Sequence, residues 1–296
     1  MTPAVPLRFQ VGARALATVR RRLVRVPLSL DVVLSGTVPT LPALSADADG
    51  FLITSLPEAA LGSVDRHGLL GFVRQRYVRY HVDLGIGVDA WLAGLSGSAR
   101  SGLKRKAKKL ATASGGVLDV RAYRTPAEIA AFHPLARAVS ATTYQERLLG
   151  SGLPEDVAPL LALAREDRVR AWLLFIAGTP VAYLCCTADG ESLRYDHVGH
   201  DPAHGDLSPG AVMQLEAMRA LFGDRFARFD FTEGEGQHKR QFASGGTACV
   251  DVLLLRPTLA NRALMVALGA FDGAMARAKR AVAHPGLQRL AKRVRR

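Results

Sequence analysis

Two periods of hydrophobic and polar positions divide this chain into elements. RYVRYHVDL (76–84) alternates. Tyr77, Arg79, His81 and Asp83 fall on one side, and Val78, Tyr80, Val82 and Leu84 on the other. That is the pattern of a half-buried strand, which Gly85 and Gly87 end. LDVRAYR (118–124) is a further strand. VRAWLLFIA (169–177), TPVAYLCCTA (179–188) and SLRYDHVG (192–199) read as a three-stranded meander, with turns at Gly178 and Asp189-Gly190. The middle strand is apolar on both faces, so it belongs inside a sheet covered on both sides. RFARFDF (225–231) and CVDVLLLRP (249–257) complete the strands of this part.

Helical spacing appears between these runs. Short helices are expected over about 88–96 and 154–166, and longer ones from Ser98 to Ser114 and from Pro209 to Phe222. Thr125-Pro126-Ala127-Glu128 is a helix start. Threonine caps, proline suits the first position, and Glu128 closes a capping box. Ile129, Phe132, Ala136 and Val139 then form a buried stripe. The stretch 200–207 and the glycine-rich 232–246 read as loops, and a long helix runs on from residue 257 to about 283. Residues 1–27 read as a basic helical lead-in, followed by strands at LSLDVVLS (28–35) and FLITSLP (51–57). The alternation of helices with a mixed sheet predicts an α/β or α+β fold.

Composition narrows the class. With 296 residues, 49% hydrophobic and 22% charged, the chain is neither disordered nor collagen-like. Three cysteines exclude a disulfide framework, and the adjacent Cys185 and Cys186 suit a reducing compartment and a core position. The apolar run LANRALMVALGAF is too short to span a bilayer and is broken by Arg262. The N-terminal segment lacks the apolar stretch of a signal peptide, so the expected location is the cytoplasm.

The net charge of +13 is concentrated. Residues 8–25 carry six basic side chains, residues 100–109 carry six, and residues 273–296 carry eight, all without an acid. In the middle stretch Leu103, Ala107, Leu110 and Ala111 share one face. A basic amphipathic helix can meet an anionic membrane surface, a nucleic-acid backbone or a phosphorylated ligand; the plain alternative is a solvated face.

Two constellations could carry chemistry. Ser208-Pro209-Gly210-Ala211 opens a helix with a favoured capping residue and little side-chain bulk. Such a helix end either holds a phosphate or pyrophosphate by its amides and dipole or is simply well capped. Asp230, Glu233, Glu235, His238 and Lys239 follow a short strand, where sites of α/β proteins collect. His197, His200, Asp201, His204 and Asp206 match no metal-ligand spacing, so no metal is expected. No Walker loop, dinucleotide fingerprint or nucleophile elbow is present.

The order strand–strand–strand–anion loop–helix–strand resembles the GNAT acyltransferase core. The run from Leu193 to Phe242 resembles the CelD/BcsL-type acetyltransferases of bacterial envelope polysaccharide and lipid pathways. Tyr195, Asp201-Pro202, Ser208-Pro209-Gly210, Asp230-Phe231, a glycine pair and Lys239 carry the likeness, which is strong over about 169–245 and weaker back through 100–110. HKRQFASGG also resembles the end of the Fem-type aminoacyl-tRNA transferases, where a lysine stabilises the reacting ester. The usual GNAT pyrophosphate motif is absent, and His238 stands where the family has tyrosine.

The resemblance implies a GNAT-like mixed central sheet flanked by helices. A degenerate lobe would cover 1–95, a complete GNAT core 96–257, and a helix with a basic tail 258–296. It implies direct transfer from acyl-CoA or acetyl-CoA to an amine or hydroxyl of an envelope sugar or lipid precursor. Lys239 would stabilise the carbonyl oxygen, and Asp230, Glu233 or His197 would take the proton. Ser208, Pro209, Gly210 and Ala211 would hold the donor's phosphates; Tyr195, Asp201 and His238 would contact substrate. The basic helices would rest on the inner membrane surface or on an anionic substrate. Alternatives are a Fem-like enzyme drawing on aminoacyl-tRNA, and a non-catalytic nucleic-acid or membrane adaptor on the same scaffold.

Overall fold

The first 27 residues alternate Val5, Leu7 and Phe9 with polar or exposed neighbours, and Pro6 stands among them, which no helix interior tolerates. In the computed structural model, which describes residues 1–11, 14–143, 146, 152–234 and 236–283, they form strands and not the expected helix. Strand β1 (Ala4–Val11) pairs antiparallel with β2 (Arg14–Pro27), from Ala4↔Arg22 to Val11↔Arg14. Of the six arginines that suggest a basic helix, Arg8 lies on β1 and the other five lie along β2. The segment 28–35, expected as a strand, holds helix α1 (Leu30–Ser35). Ser29 starts it: its hydroxyl accepts from the Val32 amide at 3.3 Å, and Asp31 occupies the first turn, where a negative charge suits the helix dipole.

The chain divides into two units. One comprises Met1–Leu28, Gly36–Arg76 and the chain from Cys249. Within it β2 runs parallel to β3 (Gly50–Pro57), and β3 pairs antiparallel with β10 (Gly245–Leu255). Val5, Leu7, Leu23, Leu253 and Leu255 pack with Leu264 and Leu268 of a long C-terminal helix that is described as far as Ala283. The basic tail beyond it, RLAKRVRR, lies outside the described residues.

The other unit comprises Ser29–Ser35 and Tyr77–Ala248. Its strands are β4 (Leu70–Asp83, here from Tyr77), β5 (Asp119–Tyr123), β6 (Val169–Ile176), β7 (Thr179–Asp189), β8 (Ser192–His200) and β9 (Arg228–Asp230). They lie in the order β4-β9-β8-β7-β6-β5, a mixed sheet with one parallel pair, β8 with β9. Helices α2 (Val88–Gly94), α3 (Gly97–Ala113) and α6 (Pro209–Leu221) cover one face through Trp91, Leu103, Leu110, Val212, Leu215 and Met218. Helices α4 (Pro126–Thr142) and α5 (Ala158–Arg165) cover the other through Ile129, Phe132, Ala136 and Leu160. The expected capping box is present: Thr125 Oγ1 accepts from the Glu128 amide, and Glu128 accepts from the Thr125 amide at 2.7 Å. The region 232–246, expected as a loop throughout, contains a short helix, α7 (Gln237–Phe242). Among the described residues no helix is long and apolar enough to cross a membrane.

The sheet is interrupted where a site needs space. Strand β9 is three residues long and pairs with β8 only at Ser192–Arg194. From Tyr195 to His200, β8 has β7 on one edge and no β9 on the other.

Candidate active site

A bulge sets the directions of the residues on β8. Cys186 pairs with Tyr195 and Cys185 with His197, so Asp196 is the extra residue. Cross-strand partners share a face. Cys186 belongs to the core beneath α6 and Cys185 to the core beneath α4, so Tyr195 and His197 point to opposite faces. Simple alternation would have put both on one side. Asp196 accepts hydrogen bonds from the Thr187 hydroxyl and amide, at 2.5 and 3.1 Å. His197 bonds the Gly152 backbone, and burial lowers its pKa against the pull of Asp196.

Tyr195 stands at the end of the β8–β9 pairing. Its ring meets Phe229, Phe231 and His238 at centroid distances of 5.9, 5.7 and 5.9 Å. Burial raises the Tyr195 phenol pKa and lowers that of His238.

Asp230 is fully buried at the end of β9. Arg79 of β4, 2% exposed, grips it with two hydrogen bonds, Nε to Oδ1 at 3.1 Å and Nη2 to Oδ2 at 2.5 Å. The Thr232 amide donates to the same Oδ1 at 2.8 Å. Burial works against the Arg79 charge, but the bonds and charge of Asp230 outweigh it and raise the guanidinium pKa. Sequence reading put Arg79 only on the polar side of a half-buried strand. In fact that side is buried at Tyr77 and Arg79, and nothing local to Arg79 names its partner 151 residues away.

Thr232 adopts a left-handed φ of 59°, and the chain turns there. The turn aims the carbonyls of Glu233 and Gly234 at Lys239, whose Nζ donates to them at 2.7 and 3.3 Å. An ammonium has three donors, so this arrangement leaves one for a ligand. Burial lowers the Lys239 pKa, and Glu233 and Asp230 oppose that shift. His197 is not among the charges that act most on Lys239; it answers to Asp196 and Arg194. Glu235 lies outside the described residues.

The glycine pair after α7 has a steric reason. A Cβ on Gly245 would lie 2.7 Å from His81 Nε2, and one on Gly246 would lie 2.7 Å from Val78 Cγ1. His81 is half-buried, its Nδ1 has no hydrogen-bond partner, and burial lowers its pKa.

The Ser208 turn is built differently from the expected serine cap. Ser208 takes a left-handed φ of 53°, and its side chain caps nothing. Its carbonyl accepts from the Ala211 and Val212 amides at 3.1 and 3.4 Å. Pro209 is buried, and Gly210 lies beside His200, which a Cβ would approach to 3.6 Å. Asp201 caps the short turn Pro202–Leu207 by accepting from the Ala203 amide at 2.9 Å. Lys109, at the end of α3, bonds the carbonyl and carboxylate of Asp206 in that turn. Cys185 and Cys186 are fully buried, and burial raises both thiol pKa values, as suits core residues.

Residues 97–240 match the family described as an acetyltransferase (GNAT) domain. This stretch, a little under half of the chain, is similar to GNAT acetyltransferases, and the mixed sheet flanked by helices agrees with a GNAT fold. That match begins at the start of α3, so the basic helix lies within the matched stretch, and it ends at Arg240, one residue past Lys239. Among solved structures, the C-terminal domain of a putative lysylphosphatidylglycerol synthetase from Agrobacterium fabrum superposes with a TM-score of 0.52. It is 12% identical, over 76% of this chain and 72% of that one. A conserved protein of unknown function from Bacteroides thetaiotaomicron gives a TM-score of 0.50 at 13% identity, over 70% of each chain. At such identities the likeness is one of fold. No curated protein matches the chain.

Proposed function

We propose that this protein transfers an acyl group from acyl-CoA to an amine or hydroxyl acceptor within a ternary complex, with Lys239 beside the reacting carbonyl. The acceptor nitrogen or oxygen attacks the thioester carbon. The carbonyl oxygen gains charge, the C–S bond then breaks, and the CoA thiolate leaves. Lys239 is suited to the first event because two main-chain carbonyls orient it and one donor is left to meet the oxyanion.

Three groups were candidates for the acceptor's proton. Both oxygens of Asp230 are already engaged by Arg79 and Thr232. His197 is engaged with the Gly152 backbone and lies among Asp196 and Arg194. Glu233 is half-buried and close enough to act on Lys239. We therefore assign the base to Glu233 and a positioning role to Asp230. The donor's pantetheine arm would lie along the unpaired edge of β8 past Tyr195, and its phosphates at Ser208–Ala211. Most amides of that turn are internally bonded, so the Gly210 amide is the main-chain donor we assign there. His238 and Tyr195 would border the acyl group.

The observation that carries the reading is the half-buried Lys239 ammonium, held by main-chain carbonyls just past the point where β9 leaves β8. An acyl-CoA that raises the melting temperature, together with loss of turnover in Lys239→Ala at unchanged fold, is the expected result. Full activity in that variant overturns the assignment. Envelope sugar or lipid precursors remain the acceptor class we propose, on the sequence resemblance alone.

The acid-free face of α3 supports one second reading, an aminoacyl-tRNA donor. Saturable, salt-sensitive tRNA binding with no response to acyl-CoA would favour it.

A further inference from the structure

Helix α3 carries six cations between Arg100 and Lys109 and no acid. Among the described residues only Lys109 of these is held by a carboxylate, that of Asp206. Lys104 and Lys108 lie on exposed helix surface, where such charges are solvated. Arg105 is exposed too and Lys106 half-buried, but both border a concavity. With Arg240 of α7 they line a cleft of about 590 Å³ between α3 and α7, and among the described residues no acidic one lines it. Gln237, Gln241 and Ser98 add neutral hydrogen-bonding groups. The like charges of Arg105 and Lys106 repel each other at this concavity, and an anion in the cleft relieves that repulsion.

The walls of the cleft are fixed before any ligand arrives. Trp91 of α2 is 2% exposed; its Nε1 donates to the Phe242 carbonyl at 2.8 Å, and its ring stacks on Phe242 at 6.1 Å. Helix α2 runs into α3 through Leu95 and Ser96, so this bond ties both helices to α7. Arg240 is itself oriented, with Nε donating to the Tyr80 hydroxyl at 3.2 Å. A guanidinium offers paired donors that match phosphate oxygens.

Arg240 follows Lys239 directly. Successive helical residues point about 100° apart, so α7 sends Lys239 toward the Glu233 and Gly234 carbonyls and Arg240 into the cleft. The Ser208 turn, where the donor's phosphates are assigned, meets α3 at its opposite end through Lys109.

We propose that the α3–α7 cleft binds a phosphate or diphosphate group of the acceptor, so that the enzyme acylates a phosphorylated molecule. The acceptor role rests on the reading above that Lys239 marks the reacting centre; the anion site itself does not.

Isothermal titration of the full chain with inorganic pyrophosphate tests the site. Saturable binding that weakens with salt is expected. The double variant Arg105→Gln/Lys106→Gln should weaken it about tenfold or more. Lys104→Gln/Lys108→Gln removes the same charge from the same helix outside the cleft and should change it less than about twofold. Equal losses in the two variants, or no saturable binding, overturn the proposal. Pyrophosphate should still bind when acetyl-CoA is saturating; mutual exclusion would give the cleft to the donor and overturn the acceptor role. Vesicles of phosphatidylcholine with and without phosphatidate separate the sources. Phosphatidate-dependent binding that pyrophosphate displaces marks a lipid-borne phosphate, and pyrophosphate binding without vesicle binding marks a soluble one; either upholds phosphate recognition. Should acetyl-CoA give no thermal shift while pyrophosphate binding persists, the acyl-CoA reading fails and the anion site stands.

Discussion

Arg79 and Asp230 meet through two hydrogen bonds at a point where neither is more than 2% exposed. A pair so placed contributes little net stability while intact, because desolvation offsets the attraction. Its loss is another matter. Arg79→Met leaves a buried carboxylate without its cation and should destabilise the protein by about 3–5 kcal/mol in urea unfolding. Arg79→Met combined with Asp230→Leu should recover a large part of that loss. A double variant no more stable than Arg79→Met would show that the pair is not the unit of cost. Turnover should stay low in the double variant, since Thr232 and the carbonyls that aim Lys239 lose their anchor.

Lys239 and stability should move in opposite directions. Burial lowers its pKa from the ordinary lysine value. The unfolded lysine holds its proton more tightly than the folded one, so at neutral pH the charge costs folding free energy, and the cost fades as pH rises toward that of free lysine. Lys239→Met should therefore keep or raise the melting temperature while turnover falls by about 10²–10³. A variant that melts well below wild type would show that Lys239 serves the fold.

Glu233→Gln, Asp230→Asn and His197→Gln separate the base candidates. Glu233→Gln should lower kcat by about 10²–10⁴ with unchanged unfolding, and His197→Gln should change kcat by less than about threefold. A loss of that size in His197→Gln alone would move the base to the other set of charges.

His81, His197 and His238 all have lowered pKa values, with burial the leading cause. Each folded histidine resists a proton that the unfolded chain accepts near pH 6.5. Stability is thus complete above that pH and falls as pH drops from it through the folded values. Melting temperature followed from pH 8 to pH 5 should decline below about pH 6.5. The decline should be shallower in His81→Gln. An identical slope in that variant would remove His81 from the account.

Gly245→Ala should cost about 1–3 kcal/mol, because its Cβ meets the His81 ring. Adding His81→Ala should return a large part of this, measured as a double-mutant cycle in urea. Additive losses would mean that the contact is not what requires the glycine.

The sequence alone was enough for those features whose cause is local. The alternation of β4, the apolar runs and tight turns of β6–β8, the Thr125–Glu128 capping box and the stripe on α4 depend on neighbours within a few residues. The cluster from Asp230 to Lys239 could be named because dense ionisable groups among glycines after a strand are a local signal. The first 27 residues show the limit: Pro6 between Val5 and Leu7 already speaks against a helix, but the arginines of β2 suit either period until strand β3 lies alongside. Tertiary structure decided the rest. The bulge at Asp196 turns Tyr195 from His197 because of how β7 registers against β8, and no count along β8 contains that register. Arg79 acquires its meaning from a carboxylate 151 residues distant, and the basic helix acquires a concave side only because Trp91 ties α2 to α7. Burial, pairing and cleft shape are properties of surfaces brought together, so they exist only once the chain has folded.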